Sequence, residues 1–131
     1  MYKRQDKDTL DATINETQVY FAMNTKSFDK YINELSMFGD TIEFTCTKDL
    51  LSLTSKDHEG AMNITLKTES LSSYQPAEVN GQFCTKYLQY ISKLSIYPDI
   101  HVYLNENTPM RITFKSEIEI NYFIAPKFVD V

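Results

Sequence analysis

The sequence is poor in several residue types that mark particular classes of protein. It has no tryptophan, three glycines, four prolines and two cysteines in 131 residues. Cys46 and Cys84 form no CxxC motif, and no pair of histidines accompanies them, which argues against a zinc site or a disulfide framework. Both lie in apolar or alternating surroundings, so we predict buried, reduced thiols and a reducing, intracellular compartment.

Long apolar runs and a positive net charge are also missing. No stretch approaches the ~20 apolar residues of a membrane helix, and polar residues rather than an apolar core follow the basic start at residues 1–4. The net charge of −5 means that DNA contact would depend on lysines clustered on one face. With 42% hydrophobic and 24% charged residues, the composition is that of one globular domain.

Residues 1–18 differ in composition from the remainder of the chain. They are polar and charged, and apart from Met1 their large apolar residues are Tyr2, Leu10 and Ile14. Such a segment cannot bury enough apolar surface to fold by itself. We therefore predict a flexible leader or connector remnant over residues 1–18 and a folded body over residues 19–131.

An internal repeat organises the folded body. Residues 31–40 align with residues 90–99 through the pattern Tyr-Ile-x-x-Leu-Ser-apolar-aromatic-breaker-Asp. Each copy covers the second half of a helix and the glycine or proline that stops it. The flanking segments agree as well, which predicts two βαβββ repeats over residues 19–72 and 77–131.

Hydrophobic periodicity places the elements of each repeat. In the first repeat we predict an extended start at 19–23, a helix at 25–38 and strands at 41–47, 50–56 and 61–68. In the second, the extended start is at 77–83, the helix at 84–96 and the strands at 100–104, 110–115 and 118–124. The predicted fold is α+β: two helices pack on one face of antiparallel sheet, related by a pseudo-twofold axis, and both edge strands are free.

The two predicted helices carry lysines on their outward faces. The predicted inward residues are Phe28, Tyr31, Ile32, Leu35, Tyr87, Leu88, Ile91 and Leu94. The predicted outward residues are Lys26, Lys30, Asn33, Lys86, Gln89 and Lys93, with Asp29 and Glu34 diluting the first set. Two interpretations are open: an ordinary solvated face, or a shallow surface that contacts DNA phosphates weakly and without sequence preference.

The terminal stretch ends the chain with an unusually apolar surface. Its strand alternates apolar and polar residues until Phe123 makes the outward series aromatic, and Ala125-Pro126 then ends the strand. The following Phe128-Val129-Asp130-Val131 is apolar for a chain end. We consider both an edge strand with a packed tail and an exposed patch that docks a partner peptide.

Residues suited to catalysis are sparse. Asp57-His58-Glu59 is the one dense polar cluster, and adjacent residues of a single turn rarely converge on one metal ion. His101 is a lone imidazole in a predicted strand, and neither histidine has a nucleophile partner by motif. We predict no enzymatic activity, no cofactor and no metal site.

Three segments and the repeat together resemble a known family. Cys46-Thr47-Lys48-Asp49, the helix at 86–93 and the ending Asn121-Tyr122-Phe123-Ile124-Ala125-Pro126-Lys127 are similar to the C-terminal domain of the eukaryotic-type DNA sliding clamp, proliferating cell nuclear antigen. The resemblance spans residues 19–130. It implies a non-enzymatic processivity factor in replication and repair, a ring of six such domains around duplex DNA, and a location in the nucleus or the replication compartment of a virus-infected cell.

The resemblance also implies roles for individual residues. Lys26, Lys30, Lys86 and Lys93 would face weakly bound, non-specific duplex DNA. The terminal strand would pair with the other domain of the same chain. The strand that would pair with a neighbouring subunit consists of Ala61, Met62, Asn63, Ile64, Thr65, Leu66, Lys67 and Thr68.

Partner enzymes of this family dock short peptides, and the resemblance places part of that pocket here. Its share in this chain would be Pro109, Phe123, Ala125, Pro126 and Lys127. The implied partners are DNA polymerase and other enzymes carrying clamp-binding peptides, the clamp loader and other clamp domains, and not a membrane.

The sequence leaves two alternatives open. The family has two domains per chain and this sequence has one, so it is either the C-terminal half of a longer clamp, which we favour, or a single-domain clamp that assembles from more subunits. The function is either that of a clamp around DNA or that of a clamp-like interaction module that does not encircle DNA.

Overall fold

The computed structural model describes residues 19–94 and 96–127. The predicted leader at 1–18 and the end of the chain at 128–131 lie outside the described residues. The strands are β1 (Val19–Asn24), β2 (Thr41–Cys46), β3 (Leu50–Lys56), β4 (Ala61–Lys67), β5 (Ser73–Gln75), β6 (Val79–Cys84), β7 (Asp99–Leu104), β8 (Met110–Lys115) and β9 (Glu119–Ile124). The helices are α1 (Thr25–Ser36) and α2 (Thr85–Ser92).

The strands form two antiparallel sheets. One has five strands in the order β5-β1-β7-β8-β9, and the other has four in the order β4-β3-β2-β6. The α+β fold with two helices and antiparallel pairing is confirmed, although the strands divide into two sheets. The predicted free edges are confirmed too, because β4 and β9 each pair with a strand on only one side within the described chain.

The first strand of each repeat belongs to the sheet of the other repeat. β1 pairs with β7, and β6 pairs with β2. The two exchanges are equivalent in detail: the backbone N–H of Thr25 donates to the carbonyl of Pro98 at 2.9 Å, and that of Thr85 donates to the carbonyl of Asp40 at 3.0 Å. The predicted pseudo-twofold relation is therefore present in the backbone.

A single hydrophobic core joins the two halves. Each sheet alternates between buried and outward residues, as a half-buried strand must. The core includes Phe28 and Ile32 of α1, Leu88 of α2, and residues from both sheets. α1 contacts β1, β2, β3, β4 and β7, so this helix bridges the sheets.

Some predicted boundaries were wrong. α1 ends at Ser36 rather than residue 38, and α2 ends at Ser92 rather than residue 96, where Lys93 takes a C-cap conformation with ψ near 0°. β5 lies in the Ser-rich bridge at 68–76, for which no strand was predicted. Among the described residues, no helix has the length and apolar character to cross a membrane.

Candidate functional site

The four predicted lysines are exposed on adjacent helices. Lys26 and Lys30 are one turn apart on α1. Lys86 lies in the first turn of α2, and Lys93, the C-cap residue of α2, follows seven positions later, so each pair is aligned along its helix. α1 and α2 lie side by side, and hydrogen bonds between positions 29 and 92 and between 33 and 89 show that they run antiparallel. The arrangement therefore exposes two lysines along each of two adjacent, antiparallel helices.

A polar seam joins the two helices. Gln89 Nε2 donates to Asn33 Oδ1 at 3.2 Å and to Ser36 Oγ at 3.0 Å. The Ser92 hydroxyl, which is fully buried, donates to Asp29 Oδ1 at 2.7 Å. The prediction that Asn33 and Gln89 point outward was therefore wrong, because the short separation of the helices gives them partners across the seam.

α2 is also rotated relative to the predicted inward stripe. Tyr87 was predicted to face the core but is 54% exposed, while Leu88 and Ile91 are buried as predicted. Because Gln89 and Ser92 must face α1, Tyr87 and Tyr90 are directed away from the core on the side of β9. The hydrophobic periodicity of α2 alone could not predict the orientation of Tyr87 and Tyr90.

An apolar groove of about 650 Å³ lies between α2 and the end of β9. Four of the five residues predicted for the peptide pocket line it: Phe123, Ala125, Pro126 and Lys127. The other lining residues are Cys84, Tyr87, Tyr90, Ile91, Tyr122 and Ile124. The sequence did not predict that α2 would form this wall, since that contact depends on the placement of β9 beside the helix.

The fifth predicted pocket residue, Pro109, is exposed at the same end of the sheet. It precedes Met110, which pairs with Ile124, so it lies beside the segment at 125–127. Pro126 and Lys127 also line a second, smaller cleft of about 190 Å³ with the turn at 105–108. The predicted pocket residues are thus neighbours, and Pro126 and Lys127 line both cavities.

Lys127 holds this segment against the four-stranded sheet. Its backbone N–H donates to the carbonyl of Gln82 at 2.7 Å, and its Nζ donates to Thr41 Oγ1 at 2.8 Å. The same ammonium lies 3.8 Å from an Asp40 carboxylate oxygen, but both side chains are largely exposed. Exposed pairs of this kind contribute little stability, so the backbone bond is the main restraint.

Four large side chains cross the outer face of the five-stranded sheet, and we call them the aromatic row. They are Tyr20, Tyr103, Arg111 and Phe123, which are directly opposite one another on successive strands. The rings of Tyr20 and Tyr103 are 4.8 Å apart, and the Arg111 guanidinium carbon is 4.0 Å from the centre of the Tyr103 ring. Phe123, at the end of the row, is 52% exposed.

His101 lies two residues before Tyr103 on β7 and contacts the aromatic row through Tyr20. Its Nδ1 shares a hydrogen bond of 2.8 Å with the Tyr20 hydroxyl. Burial lowers the pKa of His101 below its ordinary value of 6.5, and the charge of Lys115 acts in the same direction against the opposing effects of Asp99 and Glu119. Burial is also the main cause of the raised pKa of Tyr20.

Catalytic chemistry finds little support in the described residues. Within 19–94 and 96–127, no group of three or more His, Cys, Asp or Glu side chains could hold a metal ion. Burial raises the pKa of the Cys46 thiol to about 12, which keeps it protonated and poorly nucleophilic at neutral pH. Cys46 and Cys84 are both free thiols, as predicted, although Cys84 is only partly buried.

Comparison with protein families gives one match over most of the chain. Residues 13–127 match the model of the family described as "Proliferating cell nuclear antigen, C-terminal domain". Proliferating cell nuclear antigen 2 of Drosophila melanogaster is 23% identical over 133 residues, which cover 95% of this chain and 51% of that protein. The chain thus spans about half the length of this curated relative.

Solved clamp structures have the same fold. Proliferating cellular nuclear antigen from Entamoeba histolytica has a TM-score of 0.79 at 23% identity, covering 86% of this chain and 47% of that one. The A. fulgidus PCNA bound to the C-terminal region of FEN-1 has a TM-score of 0.80 at 19% identity, covering 88% and 49%. The PCNA2–PCNA3 complex from Sulfolobus tokodaii gives 0.76 at 20% identity, covering 86% and 48%.

Proposed function

Because the chain belongs to the proliferating cell nuclear antigen family through that family's C-terminal domain, we propose that it is a domain of a DNA sliding clamp. In this role it helps to encircle duplex DNA and holds replication and repair enzymes on it without catalysing a reaction. Its place of action is the nucleus, and its partners are polymerases, other enzymes with clamp-binding peptides, the clamp loader and further clamp domains.

The observation that carries the proposal is the exposed lysine surface on α1 and α2. An acidic chain with a net charge of −5 nevertheless exposes Lys26, Lys30 and Lys86 on its two adjacent helices and Lys93 at the C-cap of α2. Phosphate contacts by lysine are independent of base sequence and are weakened by salt. A protein that must slide along any sequence requires this kind of contact.

Two of the four edge strands in the described sheets, β4 and β9, support assembly into a ring. β4 and β9 lie at the ends of their sheets and expose unpaired backbone groups, a liability that proteins usually cover by pairing. We propose that β4 pairs with a neighbouring subunit and β9 with another domain of the clamp. Both edges then continue the antiparallel sheets across domain boundaries.

The groove and the aromatic end of β9 support peptide docking. Phe123 is exposed beside Ala125 and Pro126, and Pro109 lies at the same end of the sheet. An apolar surface of this kind, beside a free strand end, suits a short peptide with apolar anchors. We propose Pro109, Phe123, Ala125, Pro126 and Lys127 as this domain's share of the pocket.

Charge reversal tests the DNA contact. The variant carrying both Lys86→Glu and Lys93→Glu is compared with a matched variant carrying Lys48→Glu and Lys56→Glu, two exposed lysines that belong to neither helix. Binding to a fluorescent 30-base-pair duplex is measured by anisotropy across a salt series. The helix variant is expected to lower the slope of log affinity against log salt by about 2, because two phosphate contacts are lost.

Light scattering at several protein concentrations tests the assembly in parallel. A closed oligomer would identify a self-sufficient ring, and a monomer would identify a half-clamp that needs a second domain. If the helix variant binds DNA as tightly as the matched variant, the lysine surface does not contact DNA. Retention of peptide binding in that case would identify an interaction module that does not encircle DNA.

A further inference from the structure

Arg111 is the only formal charge within the aromatic row. Its guanidinium lies over the Tyr103 ring at 4.0 Å rather than over its other neighbour, Phe123, which is left 52% exposed. The side chain is half-buried, and its Nε is fully buried without a hydrogen-bond partner in the part of the chain that the structure describes. Arginine carries five N–H donors in a planar fork, and four of them are on the two terminal nitrogens. These terminal donors, rather than the buried Nε, give the group its capacity to bind an anion from outside.

Nearby carboxylates do not supply that anion within the described residues. Asp99 and Glu119 lie on the same sheet but four positions away from the row along their strands, which is roughly 13 Å at ~3.3 Å per residue. Glu106, in the turn between β7 and β8, forms no ion pair with Arg111. A cation that is partly removed from water and has no acidic partner in its own chain is stabilised by a carboxylate from another molecule.

The corresponding position in the other sheet is neutral and self-satisfied. By strand pairing, the row Asn80, Thr45, Ser52 and Thr65 in the four-stranded sheet is equivalent to Tyr20, Tyr103, Arg111 and Phe123. There the side chains bond one another, with Asn80 Nδ2 3.0 Å from Thr45 Oγ1 and Ser52 Oγ 3.4 Å from Thr65 Oγ1. The fold therefore does not require an arginine on aromatic rings at this position.

We propose that Arg111 binds a carboxylate side chain of the peptide that docks at Phe123, and so selects peptides with an acidic residue near their apolar anchor. The inference rests on the proposed docking at Phe123 and adds the chemistry of the partner. Phe123 and Tyr103 are two strand spacings apart, about 10 Å. An extended peptide covers that distance in about three residues, which places the acidic residue two or three positions from the anchor.

A peptide carboxylate fits the row better than a nucleic acid does. Nucleic-acid surfaces require several cations along the phosphate backbone. Here Arg111 is the cation next to Phe123, and four positions along β8 the same face carries Lys115, which is paired with Glu119. His101, opposite Thr113, has a lowered pKa that favours its neutral form, and Asp99 lies further along the same strand. One cation beside one exposed aromatic residue matches a short peptide with one acid and one apolar anchor.

The test is a selection from a random 12-residue peptide library displayed on phage, using the full chain as bait. We expect the binders to share an apolar or aromatic residue with Asp or Glu two or three positions away. Synthetic peptides from this selection are then measured by isothermal titration against the wild-type chain and against Arg111→Gln, Arg111→Lys, Phe123→Ala and Lys115→Gln. Each bait variant is checked for an unchanged circular dichroism spectrum.

We expect Arg111→Gln to weaken the acidic peptides by about 10-fold, since a hydrogen-bonded charge pair contributes roughly 1.5 kcal/mol or more. The same variant should leave the affinity of the matching Asn or Gln peptides unchanged, which a general folding defect would not do. Arg111→Lys should restore part of the affinity. Lys115→Gln removes a cation from the same strand and should have no effect.

Four outcomes would overturn the inference. Phe123-dependent binders without acidic enrichment, or with equal affinity for Arg111→Gln, would remove the role of Arg111 and leave the proposed docking intact. Binders whose affinity is unchanged by Phe123→Ala, or the absence of any binders, would contradict both the docking at Phe123 and the role of Arg111. An oligonucleotide whose binding requires Arg111 would assign the site to phosphate. Competition by a synthetic peptide of residues 1–18 that requires Arg111 would assign it to the chain's own leader.

Discussion

The outer faces of the two sheets have equivalent backbones and opposite chemistry. At matching positions the five-stranded sheet carries Tyr20 bonded to His101, and the four-stranded sheet carries Asn80, whose amide donates to Glu43 at 2.8 Å. The aromatic row has a cation and a half-exposed ring, while its counterpart is a line of small polar residues. The inward faces, by contrast, are apolar in both sheets.

This difference separates the inward residues, which determine the fold, from the outward residues, which adapt one sheet for a particular function. The inward positions of both repeats must fill one core, so their apolar character is constrained by packing. The outward positions are free of that constraint, and large apolar side chains there need another explanation. The five-stranded sheet is therefore the face on which a partner is expected.

The largest expected effect tests whether both halves contribute equally to one core. Phe28 and Leu88 occupy the fourth position of α1 and α2 and are both buried. We expect Phe28→Ala to lower the free energy of unfolding by about 3–5 kcal/mol and Leu88→Ala by about 2–5 kcal/mol, through lost burial and an unfilled cavity. Urea titration followed by far-ultraviolet circular dichroism should give one transition for each. Two transitions would mean that the halves unfold separately.

A smaller effect distinguishes the starts of the two helices. The Asn24 side chain caps α1 by accepting from the backbone N–H of Ser27 at 3.1 Å, while Cys84 makes no such bond for α2. We expect Asn24→Ala to cost about 1 kcal/mol in urea titration. Cys84→Ala should change stability by less than about 0.5 kcal/mol, since no cap is lost. Equal losses would show that the cap does not distinguish the helices.

The smallest effect concerns pH and involves the five-stranded sheet alone. The pKa of His101 is lowered in the folded chain, so near and below pH 6.5 the unfolded chain binds more protons at this residue. Above pH 6.5 His101 is neutral in both states and the free energy of unfolding does not depend on it. As the pH falls from 6.5 through the folded pKa, proton uptake by the unfolded chain lowers the free energy of unfolding. Unfolding measured between pH 7.5 and 5 should show this loss in the wild type and less of it in His101→Gln. An identical pH dependence in both proteins would show that His101 is not the source of the stability loss.

Local patterns in the sequence were sufficient for the repeat, the helix starts, the main strands and the exposure of the four lysines. Lys26 and Lys30, for example, follow directly from helical spacing. The orientation of Gln89 and Tyr87 could not be predicted, because it depends on the side chains of α1 across the seam. The aromatic row could not be predicted either, since Tyr20 and Tyr103 become neighbours only through the pairing of strands distant in sequence.

The exchange of first strands between the repeats has a consequence for how the chain folds and could have arisen. Neither repeat owns a complete sheet, because β1 completes the sheet of the second repeat and β6 that of the first. The two halves are intertwined like the protomers of a domain-swapped dimer, joined here by a covalent bridge. A peptide of one repeat is expected to fold only as a twofold pair. In the intact chain, β1 joins the strands of the second repeat only through pairings with β7 that are some 80 positions apart.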